Sequence, residues 1–244
     1  MSALHLDRIT VRYGRVTVLE DLSLSVPWAG ALGIVGESGS GKSTAARAAC
    51  GLVPLSGGQV LIDGKPLRAR RGIPSPVQMI FQNPAASLDP RLTVAAAIAE
   101  ALPRGRPANE VLRYLDLVGL EAVHATRRPA ELSGGQRQRV AIARALAAEP
   151  KVLIGDEITS ALDVSVQAAI LNLLRRLRQE LGFTLLFISH NIAAVRYLCD
   201  DIAVMQGGRL VEAGPADQIT RAPTQPYTRA LLDAVPRLKE DSPC

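Results

Sequence analysis

One glycine-rich segment constrains the fold of this chain more than any other feature. Residues 36–44 read Gly-Glu-Ser-Gly-Ser-Gly-Lys-Ser-Thr, which fits the pattern Gly-x-x-x-x-Gly-Lys-Ser. The apolar run 31–35 before it predicts a strand, and the Ala-rich run 42–52 after it predicts a helix. Glycines in such a loop let backbone N–H groups turn inward around phosphate oxygens. The sequence therefore predicts an α/β fold with a phosphate-binding loop.

The residue types in this loop predict which groups would bind a nucleoside triphosphate and its metal. Lys42 is placed to bridge the terminal phosphates, and the Ser43 hydroxyl is placed to ligate Mg²⁺. The helix that begins near Lys42 would direct its positive end at the same anion. The predicted ATP-binding residues of the loop are Gly36, Glu37, Ser38, Gly39, Ser40, Gly41, Lys42, Ser43 and Thr44.

Two adjacent carboxylates follow a second apolar run. Residues 152–154 are Val-Leu-Ile and predict a buried strand, after which come Asp156 and Glu157. On its own, a pair of carboxylates after a strand is as typical of a strand end without function as of a catalytic site. Together with a phosphate loop, it predicts that Asp156 holds the hydration shell of Mg²⁺. Glu157 would then orient and polarise the attacking water.

Residues 132–136, Leu-Ser-Gly-Gly-Gln, lie between these two motifs and precede a helical pattern. A serine and two glycines at a helix N-terminus form a second anion-binding nest, although a serine that only caps its helix is the simpler alternative. Two nests in one chain would allow two subunits to enclose one ATP between them.

The order of these three motifs resembles that of ABC-type ATPases, and the resemblance covers essentially the whole chain. It implies a head-to-tail dimer in which the signature of one subunit closes over the ATP bound by the other. The signature residues implied to contact that ATP are Ser133, Gly134, Gly135 and Gln136.

The same resemblance implies four further site residues. Tyr13 would stack on adenine, and Gln82, after the strand predicted at 77–81, would contact Mg²⁺ or water and sense a transport partner. Asp163 ends the motif Ser-Ala-Leu-Asp at 160–163, which communicates between the two sites. His190, after the strand predicted at 183–188, would contact the γ-phosphate. With Glu157 and Gln82, His190 completes the predicted catalytic set.

Two positions depart from the family pattern. Ile158 stands where the family usually has Pro, and Asn191 stands where it often has Asp. Neither change removes a group that carries chemistry, so hydrolysis is still expected.

The chain organisation predicted from periodicity and the resemblance is one α/β domain spanning 1–244. It combines a P-loop NTPase (RecA-like) core, an N-terminal antiparallel β subdomain and an inserted α-helical subdomain at 84–150. A C-terminal helical extension is expected at 215–244. Strands are predicted at 4–9, 16–26, 31–35, 59–62, 77–81, 152–156, 183–188 and 201–205. Helices are predicted at 42–52, 93–102, 109–118, 136–148, 164–181 and 191–199, with broken helix at 215–232.

Composition limits the classes of partner. Only 3% of residues are aromatic, which argues against a base-stacking platform, and no nucleic-acid partner is predicted. The net charge of +5 includes two basic clusters that are expected to be solvated surface, with attraction to anionic headgroups or to ATP as the alternative. These clusters are Arg68, Arg70 and Arg71, and Arg175, Arg176 and Arg178.

Location is predicted from what the sequence does not contain. No apolar run approaches the roughly 18–20 residues that cross a bilayer, and no secretory signal is evident. Cys50, Cys199 and Cys244 are predicted to be two core thiols and one chain-end thiol in a reducing compartment. The chain is therefore expected to be a peripheral protein on the cytoplasmic face of the plasma (inner) membrane, to which membrane-embedded partners would attach it.

Within the family, segments 79–90, 160–167 and 223–232 are similar to the oligopeptide/dipeptide/nickel importer branch. This resemblance implies an ATP-hydrolysing subunit of a bacterial importer for peptides or for nickel or metal chelates. The implied partners are a second copy or a similar second ATPase, two integral-membrane permeases and, indirectly, an extracytoplasmic solute-binding protein. Some members carry an iron–sulfur cysteine cluster, but Cys244 alone cannot supply one, so none is predicted.

Two alternatives stay open on the sequence. The chain could serve as an ABC-type ATPase in a soluble, non-transport enzyme complex, which would have no polytopic membrane partner. A GTPase or kinase with a phosphate loop is the other alternative, and it would not need the motif at 132–136.

Overall fold

The computed structural model describes residues 2–68, 74–83, 87–107 and 109–234, and within them it contains two β-sheets. The strands, in chain order, are β1 (Ser2–Tyr13), β2 (Val16–Pro27), β3 (Ala31–Val35), β4 (Gly57–Ile62), β5 (Lys65–Pro66), β6 (Val77–Ile80), β7 (Val152–Asp156), β8 (Thr184–Ile188), β9 (Asp201–Gln206) and β10 (Arg209–Pro215). The α/β fold class predicted from the sequence is confirmed.

The smaller sheet is antiparallel and has the strand order β2-β1-β4-β5. It corresponds to the N-terminal antiparallel subdomain. The turn between its last two strands uses Asp63 and Gly64, both with positive φ, as the Asp-Gly pair predicts.

The larger sheet has the order β10-β9-β3-β8-β7-β6. Strands β3, β6, β7, β8 and β9 are parallel, and only β10 is antiparallel to its neighbour β9. The carboxyl ends of parallel strands meet at one edge of a sheet, so the segments that follow β3, β7 and β8 are brought together. The phosphate loop, the Asp156–Glu157 pair and His190 therefore lie at this edge.

Strand β10 was not predicted from the sequence. It follows a hairpin turn in which Gly207 and Gly208 have φ of +54° and +79°, and it forms the edge of the sheet. Its residues are exposed or half-buried and include Gly214 and Pro215, so the apolar alternation typical of a buried strand is missing.

The helices are α1 (Lys42–Ala49), α2 (Val94–Ala99), α3 (Glu110–Leu117), α4 (Gly134–Ala147), α5 (Val164–Leu181), α6 (Ile192–Leu198), α7 (Ala216–Arg221) and α8 (Pro226–Asp233). Short 3₁₀ segments occupy Ala122–Thr126 and Pro129–Glu131. Helix α1 is shorter than predicted because Gly51, with φ of +71°, ends it.

The described residues between β6 and β7 form helices and no strand, as the periodicity predicts. Helices α2 and α4 begin at the capping side chains of Thr93 and Ser133. Residues 84–86, where the helical insertion was predicted to begin, and residues 235–244 of the predicted C-terminal extension lie outside the described residues, as do Arg70, Arg71 and Cys244. The limits of these subdomains stay a prediction.

Two hydrophobic clusters cover the two faces of the larger sheet. Leu153 and Phe187 pack into a cluster that includes helices α4, α5 and α6, whereas their neighbours Ile154 and Ile188 pack into one with α1 and the smaller sheet. Successive residues of a strand face opposite sides, so these fully buried strands read as continuous apolar runs. The sheet is thereby held rigidly between two layers.

The basic residues at 175–178 have partners within the chain. Arg178 donates hydrogen bonds of 3.0 and 3.2 Å to Asp200, Arg176 donates one of 2.8 Å to the Leu117 carbonyl, and Arg175 lies over the ring of Tyr197. Arg175 and Arg176 are exposed, as expected of a solvated surface, whereas Arg178 is only 16% exposed and is held by Asp200.

Two further predictions concern cysteines and membrane spans. Cys199 is buried and Cys50 is half-buried, and both are free thiols. Burial raises the pKa of Cys50 to about 12, so its thiol stays protonated. Across the described ranges, no helix has the length and apolar character that crossing a bilayer requires.

Candidate active site

The phosphate loop follows the buried strand β3 and ends at the first turn of α1. A Cβ at Gly36 would lie 2.2 Å from the Met205 carbonyl oxygen, and a Cβ at Gly41 would lie 2.8 Å from Leu19. Gly41 also has φ of +98°. Both positions therefore require glycine, because the neighbouring backbone and side chain occupy the space of a side chain.

Lys42 is buried with its ammonium group inside the loop. Its Nζ donates hydrogen bonds of 2.8 Å to the Gly36 carbonyl and 2.7 Å to the Glu37 carbonyl. Burial lowers the pKa of Lys42, while the carboxylates of Glu157 and Asp156 act in the opposite direction. The loop thus holds a positive charge where terminal phosphates were predicted to bind.

Ser43 and Asp156 meet at the carboxyl edge of the sheet. The Ser43 hydroxyl donates a hydrogen bond of 3.0 Å to Asp156 Oδ1. Burial raises the pKa of Asp156, opposed mainly by this hydrogen bond, so the buried carboxylate lacks full charge compensation.

These oxygen donors fit the Mg²⁺ that the fold implies. Ser43, Asp156 and Gln82 line one cavity of about 370 Å³, and Mg²⁺ is usually held by one or two protein oxygens plus phosphates and waters. The described residues contain no group of three or more His, Cys, Asp or Glu side chains that could bind a metal by themselves. A site completed by a nucleotide agrees with both observations.

Glu157 stands between Gln82 and His190. Gln82 Nε2 donates a hydrogen bond of 3.1 Å to Glu157 Oε2, and His190 Nδ1 lies 3.6 Å from Glu157 Oε1. Gln82 Nε2 also donates to Ser160 Oγ at 3.3 Å. The three residues predicted to be catalytic therefore form one cluster, although they come from three different loops.

The backbone of Glu157 adopts a left-handed conformation with φ of +48°, which is uncommon for a residue with a side chain. Its N–H donates to the Ile188 carbonyl at 2.9 Å, and its own carbonyl accepts from the Ser160 hydroxyl at 2.9 Å. These two contacts hold the carboxylate at the end of β7.

The signature segment caps helix α4 and contacts α5. Ser133 Oγ accepts from the Gln136 N–H at 3.2 Å, and Gln136 Oε1 accepts from the Ser133 N–H at 2.9 Å. A Cβ at Gly135 would lie 2.9 Å from Val166, whereas one at Gly134 would make ordinary contact with Leu162. The capping role that was the simpler alternative for Ser133 is therefore present, and it leaves the role toward ATP untested.

Asp163 caps helix α5 in the same way. Its Oδ1 accepts from the Ser165 hydroxyl at 2.7 Å and from the Val166 N–H at 2.9 Å, and these hydrogen bonds lower its pKa. The Asp163 segment and the signature segment thus share Val166 as a neighbour. In the part of the chain that the structure describes, no hydrogen bond joins either segment to the phosphate loop.

Tyr13 is 48% exposed at the end of β1, where its ring is free to meet a ligand.

Both departures from the family pattern have a structural explanation. Ile158 is buried, and its side chain fills the space over Gly155, where a Cβ would approach to 3.2 Å. Asn191 caps α6 through a hydrogen bond of 3.2 Å from the Ala194 N–H, which an Asp would accept equally well.

Three residues near the site were not singled out from the sequence. His124 Nε2 lies 3.1 Å from Gln136 Nε2, and Arg47 lines the cavity next to Asp156. The Tyr227 hydroxyl accepts a hydrogen bond of 3.2 Å from the Glu37 N–H. The Pro-Tyr-Thr tail containing Tyr227 was noticed only as a branch resemblance, because nothing in its pattern indicates a contact 190 residues away.

Comparison with known proteins decides the family. The ABC transporter family profile matches residues 19–160, which include the phosphate loop, the signature and the carboxylate pair. The chain belongs to the family of ABC transporter ATPases. The family predicted from the motifs is thereby confirmed. A second profile, the C-terminal region of oligopeptide/dipeptide transporters, matches residues 211–243 of this ABC ATPase.

Individual relatives agree with this assignment. The chain is 46% identical over 236 residues to the oligopeptide transport ATP-binding protein OppF of Bacillus subtilis, covering 91% of this chain and 77% of that protein. Among solved structures, CbiO1 from Clostridium perfringens, part of an ABC transporter complex, has a TM-score of 0.79 and 28% identity, with 89% and 90% of the two chains covered. The dimeric post-hydrolysis state of the ATP-binding cassette MJ0796, bound to ADP and Pi, has a TM-score of 0.74 and 30% identity, with 87% and 98% covered.

Proposed function

We propose that this ABC ATPase binds and hydrolyses ATP to power a bacterial peptide importer. One observation carries the proposal: a buried Lys42, the Ser43–Asp156 pair and the cluster of Gln82, Glu157 and His190 converge at one sheet edge. Such an arrangement offers a phosphate cradle, a cation site and a base within one crevice.

ATP is proposed to bind with its phosphates around the loop 36–44. Lys42 Nζ, which now bonds two loop carbonyls, would reach the terminal phosphates, and the exposed ring of Tyr13 would stack on adenine. Ser43, Asp156 and Gln82 would hold Mg²⁺, which neutralises charge that develops on the phosphate oxygens.

Glu157 is the proposed base for the attacking water. Its carboxylate accepts from Gln82 on one side and faces His190 on the other, so its orientation is set by two neighbours. A carboxylate held in this way can orient the water and accept its proton. His190 is 63% exposed, which leaves it free to reach the γ-phosphate when the site closes.

Closure is proposed to bring the signature of a second ATPase subunit onto the bound ATP. Ser133 is exposed at the N-terminus of helix α4, and a Cβ at Gly134 would make only ordinary contact with Leu162. The similar ATP-binding cassette MJ0796 is dimeric with bound ADP and Pi, which supports a dimer for this chain. Either a homodimer or a heterodimer with a similar subunit satisfies the proposal.

A groove beside Gln82 is the proposed docking place for a permease. It has a volume of about 430 Å³ and lies between β6 and helices α2 and α4, where Phe81, Glu100, Leu102, Arg104 and Arg144 line it. Because Gln82 follows Phe81 directly, a helix seated here would press on a residue that contacts Glu157. This link supports a permease as a partner. Two integral-membrane permeases are proposed, with a solute-binding protein acting through them. The chain would be peripheral on the cytoplasmic face of the plasma (inner) membrane.

Peptides are the substrate class that the comparisons favour. OppF is named for oligopeptide transport, and the profile at 211–243 describes oligopeptide/dipeptide transporters. The nickel and metal chelates allowed by the sequence motifs have no comparable support from these names.

Nucleotide binding tests the chemistry of the proposal. Calorimetry with MgATP should show binding to the native chain and a loss of at least about a hundredfold in affinity for Lys42→Ala, because the variant removes the buried charge at the phosphates. Lys65→Ala, which changes an exposed lysine on β5, is the matched control. Equal affinities for all three proteins would reject the phosphate-loop assignment.

Affinity purification from detergent-solubilised membranes tests the transport role. Two polytopic permeases in the eluate, identified by mass, would support an importer, and the ligand of an associated binding protein would name the substrate. Recovery of soluble enzymes without any membrane protein would instead favour the ATPase of a non-transport complex.

A further inference from the structure

The C-terminal segment touches the phosphate loop through one side chain. Tyr227, in the first turn of helix α8, accepts a hydrogen bond of 3.2 Å from the backbone N–H of Glu37. Its ring is partly buried and, with Leu231 and Leu232, packs against the large hydrophobic cluster. The hydroxyl is thus presented to the loop by a side chain that has little freedom to move.

The peptide unit that receives this contact is the one that orients Lys42. The carbonyl of this unit belongs to Gly36 and accepts from Lys42 Nζ at 2.8 Å, while its N–H belongs to Glu37 and donates to Tyr227. Because a peptide unit is planar, its two polar ends turn together. Fixing the N–H therefore fixes the carbonyl that holds the ammonium group.

The segment that carries Tyr227 is itself anchored to strand β10. The carboxylate of Glu212 accepts hydrogen bonds of 2.7 Å from the Thr224 N–H and hydroxyl and of 3.2 Å from the Gln225 N–H. Arg229 donates hydrogen bonds of 3.0 and 3.3 Å to the carbonyls of Pro223 and Thr224. The backbone just before α8 is thereby held by Glu212 at its N–H groups and by Arg229 at its carbonyl groups.

We infer that Tyr227 is a positioning residue for ATP binding, which orients Lys42 through the Gly36–Glu37 peptide and is itself held in place by Glu212. The inference rests on the proposed function, since it assigns the tail segment a role at the same phosphate site. It explains why a C-terminal segment of this chain is docked against the loop at the opposite end of the sequence.

The test is Tyr227→Phe, which keeps the ring in the core and removes only the hydroxyl. A hydrogen bond of this kind is worth about fivefold in an equilibrium, so KM and Kd for MgATP should rise about fivefold. The kcat should stay within about twofold, because Lys42 contacts the phosphates in both the ground and transition states. Amide exchange at Glu37 without nucleotide should accelerate by about the same fivefold factor.

Tyr197→Phe is the matched control, because the Tyr197 hydroxyl bonds Asn172 on the helical side of the chain. It should leave all of these quantities at the native values. A Tyr227→Phe variant whose KM, Kd and Glu37 exchange equal those of Tyr197→Phe would overturn the inference. Native protein that binds no ATP would overturn the proposed function and, with it, this role of Tyr227. Native protein that binds ATP while Tyr227→Phe binds equally well would overturn the inference alone.

Glu212→Ala separates positioning from folding. It frees the segment without touching the tyrosine, so it should raise KM for MgATP by a similar factor, while a thermal melt shows that the chain is still folded at the assay temperature. Combined with Tyr227→Phe, it should add less than about a further twofold, since both changes break the same link. If the increase in KM of the double variant equals the product of the two single increases, Glu212 does not act through Tyr227, and the role inferred for Glu212 is wrong.

Discussion

The Ser43 hydroxyl and the Asp156 carboxylate, separated by 113 positions in the sequence, are joined by a hydrogen bond of 3.0 Å. Ser43 belongs to the helix after β3, and Asp156 is the last residue of β7. The two side chains meet because the sheet places the ends of these two strands close together. Asp156 is buried, and burial raises its pKa. The buried charge of Asp156 is therefore expected to cost stability in the nucleotide-free chain, and the proposed Mg²⁺ would compensate it.

Asp156→Asn should stabilise the nucleotide-free chain. The amide keeps the acceptor for Ser43 but removes a buried charge, and a gain of about 1 kcal/mol would raise Tm by roughly 2–4 °C. With MgATP the order should reverse, because only the native carboxylate gains from the cation. Thermal melts in the absence and presence of MgATP measure both effects. A variant that is less stable without nucleotide would contradict this account of Asp156.

Adding excess EDTA to the native chain should abolish hydrolysis, since the proposed cation site depends on Mg²⁺ for charge neutralisation. Ser43→Ala should raise the Mg²⁺ concentration required for half-maximal hydrolysis by about tenfold, because a direct ligand is lost. Ser25→Ala, which removes an exposed hydroxyl on β2, is the control. An equal shift for both variants would reject Ser43 as the ligand.

Glu157→Gln should separate ATP binding from hydrolysis. The amide keeps the volume of the side chain but cannot accept a proton, so the rate should fall by about 10²–10⁴-fold while MgATP still binds. Blocked hydrolysis should also let an ATP-bound dimer accumulate, which light scattering detects. Glu180→Gln changes an exposed carboxylate on α5 and serves as the control. A Glu157→Gln chain that hydrolyses ATP at the native rate would remove the residue from the mechanism.

The two signature glycines should respond differently to alanine. In Gly135→Ala the new methyl group meets Val166 at 2.9 Å, so unfolding free energy measured in urea should fall by about 1–3 kcal/mol. Gly134→Ala meets Leu162 only at 3.6 Å and should fold normally. If Gly134 faces ATP on a partner subunit, its variant should nevertheless lose most of the ATPase activity of the dimer. A Gly134→Ala protein with full activity would count against that role.

The contribution of Glu212 should depend on pH. Desolvation by burial raises the pKa of Glu212, but the nearby Thr228 hydroxyl and the donors of Thr224 and Gln225 outweigh it and lower the pKa from 4.5 to about 2. A lowered folded-state pKa stabilises the fold above the unfolded value, and this contribution is lost as the pH falls from about 4.5 to about 2.

The difference in Tm between the native chain and Glu212→Gln should accordingly be largest near neutral pH and shrink through that acidic range. Glu180→Gln, in an exposed ion pair, should show a much smaller difference. A Glu212→Gln difference that stays constant down to the lowest pH would show that its carboxylate is not anchored to the tail.

Much of the fold could be predicted from the sequence because its strongest patterns are local. Strand conformation is predicted by the apolar runs of β3, β7 and β8, and a turn is predicted by the glycines of the phosphate loop. The helices between β6 and β7 show clear periodicity. Strand β10 was missed because an edge strand needs no apolar alternation: its hydrogen bonds to β9 hold it in place. The pairing of distant strands is decided by packing, which no local window contains.

Residue types and their order along the chain were enough to predict the chemistry: which side chains can bind phosphate, ligate a cation and accept a proton. Which of these side chains meet depends on the fold. Only the folded sheet brings Gln82 and His190 to opposite sides of Glu157, gives Glu157 its left-handed backbone and sets Tyr227 against the loop. Residue types follow from local patterns, but distances between loops follow from how a parallel sheet aligns the ends of its strands.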